Sequence, residues 1–168
     1  RGFPKYWDVS HDLQTLAKTK MIVVCAGAKV ILDLPATLEY LETLGVLVAG
    51  WKTNILPAFY HDDSGLKLNY QINEFSKIKK IFNHLQNSSL LITNPPPREH
   101  QINKKALNNM LEDALVQAKE NRISGKQLTP FLLAKLNKLS DGKTLVANRE
   151  LIKNNAILAA MIAKEISL

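Results

Sequence analysis

The chain has 168 residues, 46% of them hydrophobic, which is enough for one domain with a proper core and too few for two. With 22 Lys and Arg against 15 Asp and Glu, the formal charge is +7, favouring anionic partners over cationic ones. A single cysteine excludes an internal disulfide framework and a cysteine-rich zinc site, and no apolar run approaches the roughly 20 residues of a membrane helix, so an intracellular, cytoplasmic protein with no membrane partner is expected.

Along the chain, Ser10 is placed to cap a short helix over 11–18, with Asp12 in its first turn where negative charge suits the helix dipole. Residues 20–25 follow as a strand whose unbroken apolar character (Met21, Ile22, Val23, Val24, Cys25) suits a parallel sheet covered on both faces. Pro35 opens a second helix, Gly45 stops it, and 46–49 form the next strand, giving a strand–helix–strand crossover. Residues 51–67, with Pro57, Asp62, Asp63, Ser64 and Gly65, read as a long connection that carries function.

A short strand over 68–72, a helix capped by Asn73 and running to about 85, and a strand over 88–93 come next, ended by Asn94 and three prolines. The remainder is helical: 103–121, then a helix opened by Thr129 and Pro130 to about 139, then a last one from about 144 to 166. This pattern predicts a layered α/β/α fold with a largely parallel sheet and a helical carboxyl-terminal region, all in one domain over 1–168. The basic residues, Lys18, Lys20, Lys52, Lys77, Lys79, Lys80, Lys104 and Lys105 among them, fall at spacings of solvated helix faces. With only 7% aromatics, no nucleic-acid partner is expected.

Lys29 stands out because it follows the first strand, past Ala26-Gly27-Ala28, where ligands collect in open α/β sheets. A lysine amine desolvated there can attack a carbonyl to form a Schiff base; it can also act as a counter-charge for phosphate, or as a plain loop lysine. His11, His61, His84 and His100 show no metal-like spacing.

The stretches "DVSHDLQTL", "VVCAGAKVILDLPATLEYLETLGV", "PAFYHDDSGLK", "GKQLTPFLLAKL" and "LIKNNAILAAMIAKE" together resemble the carboxyl-terminal half of the pseudouridine-5′-phosphate glycosidase family. The resemblance implies a manganese-dependent lyase of nucleotide metabolism that cleaves the C–C glycosidic bond of pseudouridine 5′-phosphate to ribose 5-phosphate and uracil. Lys29 matches the family's Schiff-base lysine, Asp8 its Mn2+ ligand, Ser10, His11 and Asp12 its substrate-contacting motif, and Asn154 an asparagine facing the site. It also implies a homotrimer.

Two departures lie beside these residues: His11 replaces a small residue and Val30 a serine. The family's proton-donating glutamate belongs to an amino-terminal half that nothing in 1–168 matches, and Arg1-Gly2 resembles the interior of a family segment. A fragment of a longer domain, inactive alone, is therefore expected, and the alternative function is a degenerate, non-catalytic phosphosugar-binding module.

Overall fold

The computed structural model describes residues 9–167; Asp8, the expected metal ligand, lies outside them. Chain order is α1 (His11–Lys18), β1 (Ile22–Cys25), α2 (Leu34–Thr43), β2 (Leu47–Trp51), β3 (Tyr70–Ile72), α3 (Phe75–His84), β4 (Leu90–Thr93), α4 (Lys104–Glu120), α5 (Leu128–Leu139) and α6 (Lys143–Ser167). Among the described residues the strands form one sheet in the order β1-β4-β2-β3, and every neighbouring pair is parallel. The last strand thus inserts between the first two, with Leu90 opposite both Ile22 and Leu47.

Alternation along the strands builds two apolar layers, because successive side chains leave a strand on opposite faces. Ile22, Val24, Leu47, Ala49, Leu90 and Ile92 pack under α3 and α6, around Ile78, Leu158 and Ile162. Val23, Cys25, Val48 and Leu91 point the other way, against α1 and α2. Helices on both faces of a parallel sheet make the α/β/α arrangement expected from the apolar runs.

A third cluster lies beyond the sheet, where α4 and α5 close over Ile31, Tyr60 and Ile102 through Leu107, Leu111, Leu132 and Leu136. It ties the helical region to the loops that leave β1 and β2. No helix among the described residues is long and apolar enough to cross a membrane.

The caps follow the sequence with local exceptions. Ser10 accepts a hydrogen bond from the Asp12 amide, and Asp33 caps α2 through the Ala36 amide, so that Pro35 is the second helical residue. Gly45, at φ +73°, ends α2 while the Val46 amide reaches back to the Leu41 carbonyl. The α3 cap is Glu74, with no side-chain bond, because the Asn73 side chain is engaged by Gln71 instead. The strand expected over 68–72 is confined to 70–72: Leu68 is buried and its amide bonds to the Asn54 carbonyl, inside the folded connection after β2.

Ile92 is fully buried in the central strand. Ile92→Ala is expected to destabilise the chain by about 2–5 kcal/mol, through lost transfer energy plus the cavity left behind, measured by urea unfolding.

Candidate active site

Cys25, Ala26 and Gly27, ahead of Lys29, are held by two distant segments of the chain. The Cys25 carbonyl accepts the Asn94 amide at 2.7 Å, at the end of β4. The Ala26 carbonyl accepts the Phe59 amide at 2.9 Å. Gly27 adopts φ +80°, and a Cβ there would run into the Pro57 carbonyl oxygen, so only glycine fits the approach.

On the other side, the Lys29 carbonyl closes a turn with the Leu32 amide at 2.8 Å, and Ile31 is 2% exposed within the α4/α5 cluster. Lys29 itself is half-buried, on a short loop anchored at both ends, and among the described residues it has no ion-pair partner. A depression of about 320 Å3 is bounded by the residues that follow, Val30, Leu32, Asp33 and Pro35, with Ser64, and Lys29 does not line it.

The segment that grips the lysine loop is under strain. Phe59 takes φ +67°, a left-handed conformation that a bulky residue adopts only when its surroundings over-determine it. Those surroundings are visible: the Ala58 amide bonds to the His61 carbonyl, the Ile102 amide to the Tyr60 carbonyl, and the Phe59 and Tyr60 rings meet edge to face at 5.0 Å. His61 is buried, and its Nδ1 has no hydrogen-bond partner. Burial first, and the Lys104 charge second, hold its pKa below the usual histidine value, with Asp62 and Asp63 opposing. Asp63 in turn pairs with Lys104 at 3.5 Å.

The candidate substrate residues belong to two helices. Ser89, just ahead of β4, bonds the carbonyls of Leu16 and Thr19, fixing the end of α1 at the amino ends of the strands. Ser10, His11 and Asp12, at the opposite end of α1, are exposed. Asn154, half-buried on α6, donates to the Pro95 carbonyl at 3.2 Å, just past β4. Asn154 is thus tied to the end of β4, which bonds Cys25 ahead of Lys29, while among the described residues Ser10, His11 and Asp12 bond to neither.

Sequence reasoning missed Asn94 and Asn155, whose side chains bond to each other at 3.1 Å at the end of β4. The asparagine that ends an apolar strand before prolines was the available signal. It also left Phe59 and Pro57 without a role. Cys25 offers no competing nucleophile, since burial pushes its thiol up to about 11, partly offset by the Gly27 backbone. Among the described residues no group of three or more His, Cys, Asp or Glu side chains could hold a metal ion.

Comparison with known proteins places this geometry in context. The family model described as indigoidine synthase A like protein matches residues 1–165. A pseudouridine-5′-phosphate glycosidase from Caldanaerobacter subterraneus is 46% identical over 99% of this chain and 56% of its own length. One from Kosmotoga olearia is 47% identical over 96% of this chain and 57% of its own. The crystal structure of the prealnumycin C-glycosynthase AlnA in complex with ribulose 5-phosphate superposes with a TM-score of 0.90 at 31% identity, covering 95% of this chain and 54% of that one. An indigoidine synthase A-like protein from Thermotoga maritima gives 0.84 at 35% identity, with the same coverage. The chain spans little more than half the length of the relatives it matches.

Two outcomes check the grip on the lysine loop. Gly65 has φ +81° with open space around it, so Gly65→Ala should cost about 1–2 kcal/mol of conformational strain, whereas Gly27→Ala adds a backbone collision and should cost clearly more by urea unfolding. For His61, the folded pKa lies below the unfolded value of about 6.5, so the unfolded chain binds the proton first as pH falls. Its contribution is complete above about pH 6.5 and declines below, down to the folded pKa. Thermal melts from pH 7 to 5 should fall less steeply for His61→Leu than for the parent chain.

Proposed function

Given that the chain belongs to the indigoidine synthase A-like family, we propose that it supplies the covalent-catalysis half of a pseudouridine-5′-phosphate glycosidase, with Lys29 as the attacking amine. The observation that carries this reading is the lysine loop, anchored at Ala26, Gly27 and Ile31 and left with its amine at the carboxyl edge of a parallel sheet. A C–C glycoside has no leaving oxygen to protonate, so as the bonding pair departs with uracil the sugar's anomeric carbon needs an electron-pair donor to stabilise it.

Lys29 provides one. Its nitrogen bonds to C1′ as the furanose ring opens, the ring oxygen leaving as the 4′-hydroxyl with a proton from the amine. The electrons of the C1′–C5 bond then pass to uracil C5, which takes up a proton, while the nitrogen lone pair closes the C1′=N iminium. Water hydrolyses that iminium to ribose 5-phosphate and the free amine. The proton for C5 comes from a general acid in the part of the full-length enzyme outside this chain, a contribution typically worth about a hundred- to ten-thousand-fold.

The rigid loop serves this chemistry by holding the amine near its attack position before substrate arrives. Ser10, His11 and Asp12, exposed at the start of α1, would offer hydrogen-bonding groups to the substrate. Asn154 has its amide engaged by Pro95, so its Oδ1 is the atom left to accept a bond from a sugar hydroxyl. Mn2+ on Asp8 and assembly as a homotrimer belong to the same proposal. A hard cation suits carboxylate and water oxygens, and none of the steps above is routed through it.

The test is uracil release from pseudouridine 5′-phosphate by this chain joined to the remaining part of the Caldanaerobacter relative. Turnover is expected, with Lys29→Ala lowering it at least about a thousand-fold while ribose 5-phosphate still binds. A Lys29→Ala chimera that keeps its rate would overturn the assignment. Ribose 5-phosphate binding without uracil release from the parent chimera would favour the non-catalytic phosphosugar-binding module. Chelation followed by Mn2+ addition, and light scattering for subunit number, check the metal and the trimer on the same sample.

A further inference from the structure

β1 is the most apolar strand by sequence, yet it lies at the edge of the sheet. Its sole neighbour among the described residues is β4, and all four of its residues are only half-buried. Apolar strands of this kind in parallel sheets are normally flanked on both sides, and an open apolar edge is a pairing template that proteins cover. The ladder shows which groups are open. Met21 and Cys25 direct their carbonyls to β4, accepting the amides of Leu90 and Asn94. Because consecutive residues of a strand point their backbone groups to opposite sides, the N–H and C=O of Ile22 and Val24 face outward from the edge.

The helix packed on that side of the sheet is unfinished in the same way. α6 buries Leu151, Leu158 and Ile162 against the body, Leu158 and Ile162 meeting Ile22 and Val24 of β1. Away from that face, Leu145 is 64% exposed and Ile152 56% exposed. Arg149 falls between Leu145 and Ile152 at the same spacing, and beyond Ile152 the residues Ala156, Ala159 and Ala163 continue the stripe without charge, their small side chains permitting close approach of another helix.

We propose that the open edge of β1 and the Leu145–Ile152–Ala156–Ala163 stripe of α6 form one continuous docking surface. Its occupant is the part of the family's chain outside the matched region, which adds a strand to β1 and packs a helix along α6. The length left over supports this occupant: 44–47% identical relatives are matched over 54–57% of their length, and both solved relatives over 54%. The inference rests on family membership and not on the role of Lys29.

The test compares the 168-residue chain with the chimera carrying the remaining part of the Caldanaerobacter relative. The Val24 amide should exchange at least about a hundred-fold more slowly in the chimera. Val24→Pro removes an outward N–H together with a side chain packed by Leu158 and Ile162, so it should lower the melting temperature of both proteins, and that of the chimera by about 5 °C more. Ile152→Glu with Ala156→Glu, at exposed positions, should leave the isolated chain within about a degree and lower the chimera by about 5 °C or more. Equal shifts in both proteins, or none in the chimera, overturn the proposal. So does self-association of the isolated chain that Ile152→Glu abolishes, which would make a second copy the occupant. If the chimera fails to fold, the residues matching Ile152 and Ala156 are changed to glutamate in the full-length relative, where an unchanged melting temperature overturns the proposal. Because none of these readouts involves turnover, they stand or fall separately from the uracil-release experiment.

Discussion

The hydrogen bond from the Phe59 amide to the Ala26 carbonyl, with Gly27 pressed against the Pro57 carbonyl, is the contact on which the site depends. It joins the loop leaving β1 to the connection leaving β2, two segments more than 30 residues apart in sequence. A lysine on a free loop would sample many positions and lose its rotamer entropy on binding. Here the backbone beneath Lys29 is already fixed on one side by this contact and on the other by Ile31 in the α4/α5 cluster. The left-handed Phe59 is the local cost of that arrangement, sustained by the Tyr60 carbonyl's bond from Ile102 and by the packing of its neighbours.

The global fold serves the same end. Inserting β4 between β1 and β2 brings Asn94 beside Cys25 and sets Pro95 under Asn154, so the carboxyl edge gathers residues from the beginning, middle and end of the chain. The three parallel pairings make that edge a place where backbone carbonyls, loop amides and side chains converge without a competing hairpin turn. The net charge of +7 suits a phosphorylated sugar in this reading, while the basic residues themselves are distributed along solvated helices.

Much of this was legible before any coordinates. Apolar runs gave the strands and Ser10 and Gly45 the ends of helices, and Ala26-Gly27-Ala28-Lys29 was legible as a loop leaving the first strand. The strand order was not, because an apolar run such as Ile22–Cys25 reports that both faces are covered and says nothing of which strands lie beside it. The positions of Phe59 and Asn94 were hidden for a related reason: each acts through a backbone amide, which every residue but proline carries, so residue identity says little about it. The Asn73 cap failed because Gln71 competes for the same oxygen. Apolar periodicity and caps were readable in sequence; contacts made by the main chain needed the fold.

The most direct measurement is borohydride reduction of the completed chimera in the presence of ribose 5-phosphate, followed by peptide mapping by mass spectrometry. The account predicts a reduced sugar adduct on the peptide carrying Lys29, lost in Lys29→Ala and weakened in Gly27→Ala. An adduct confined to another lysine, or none where the full-length Caldanaerobacter relative is labelled under the same conditions, would contradict it.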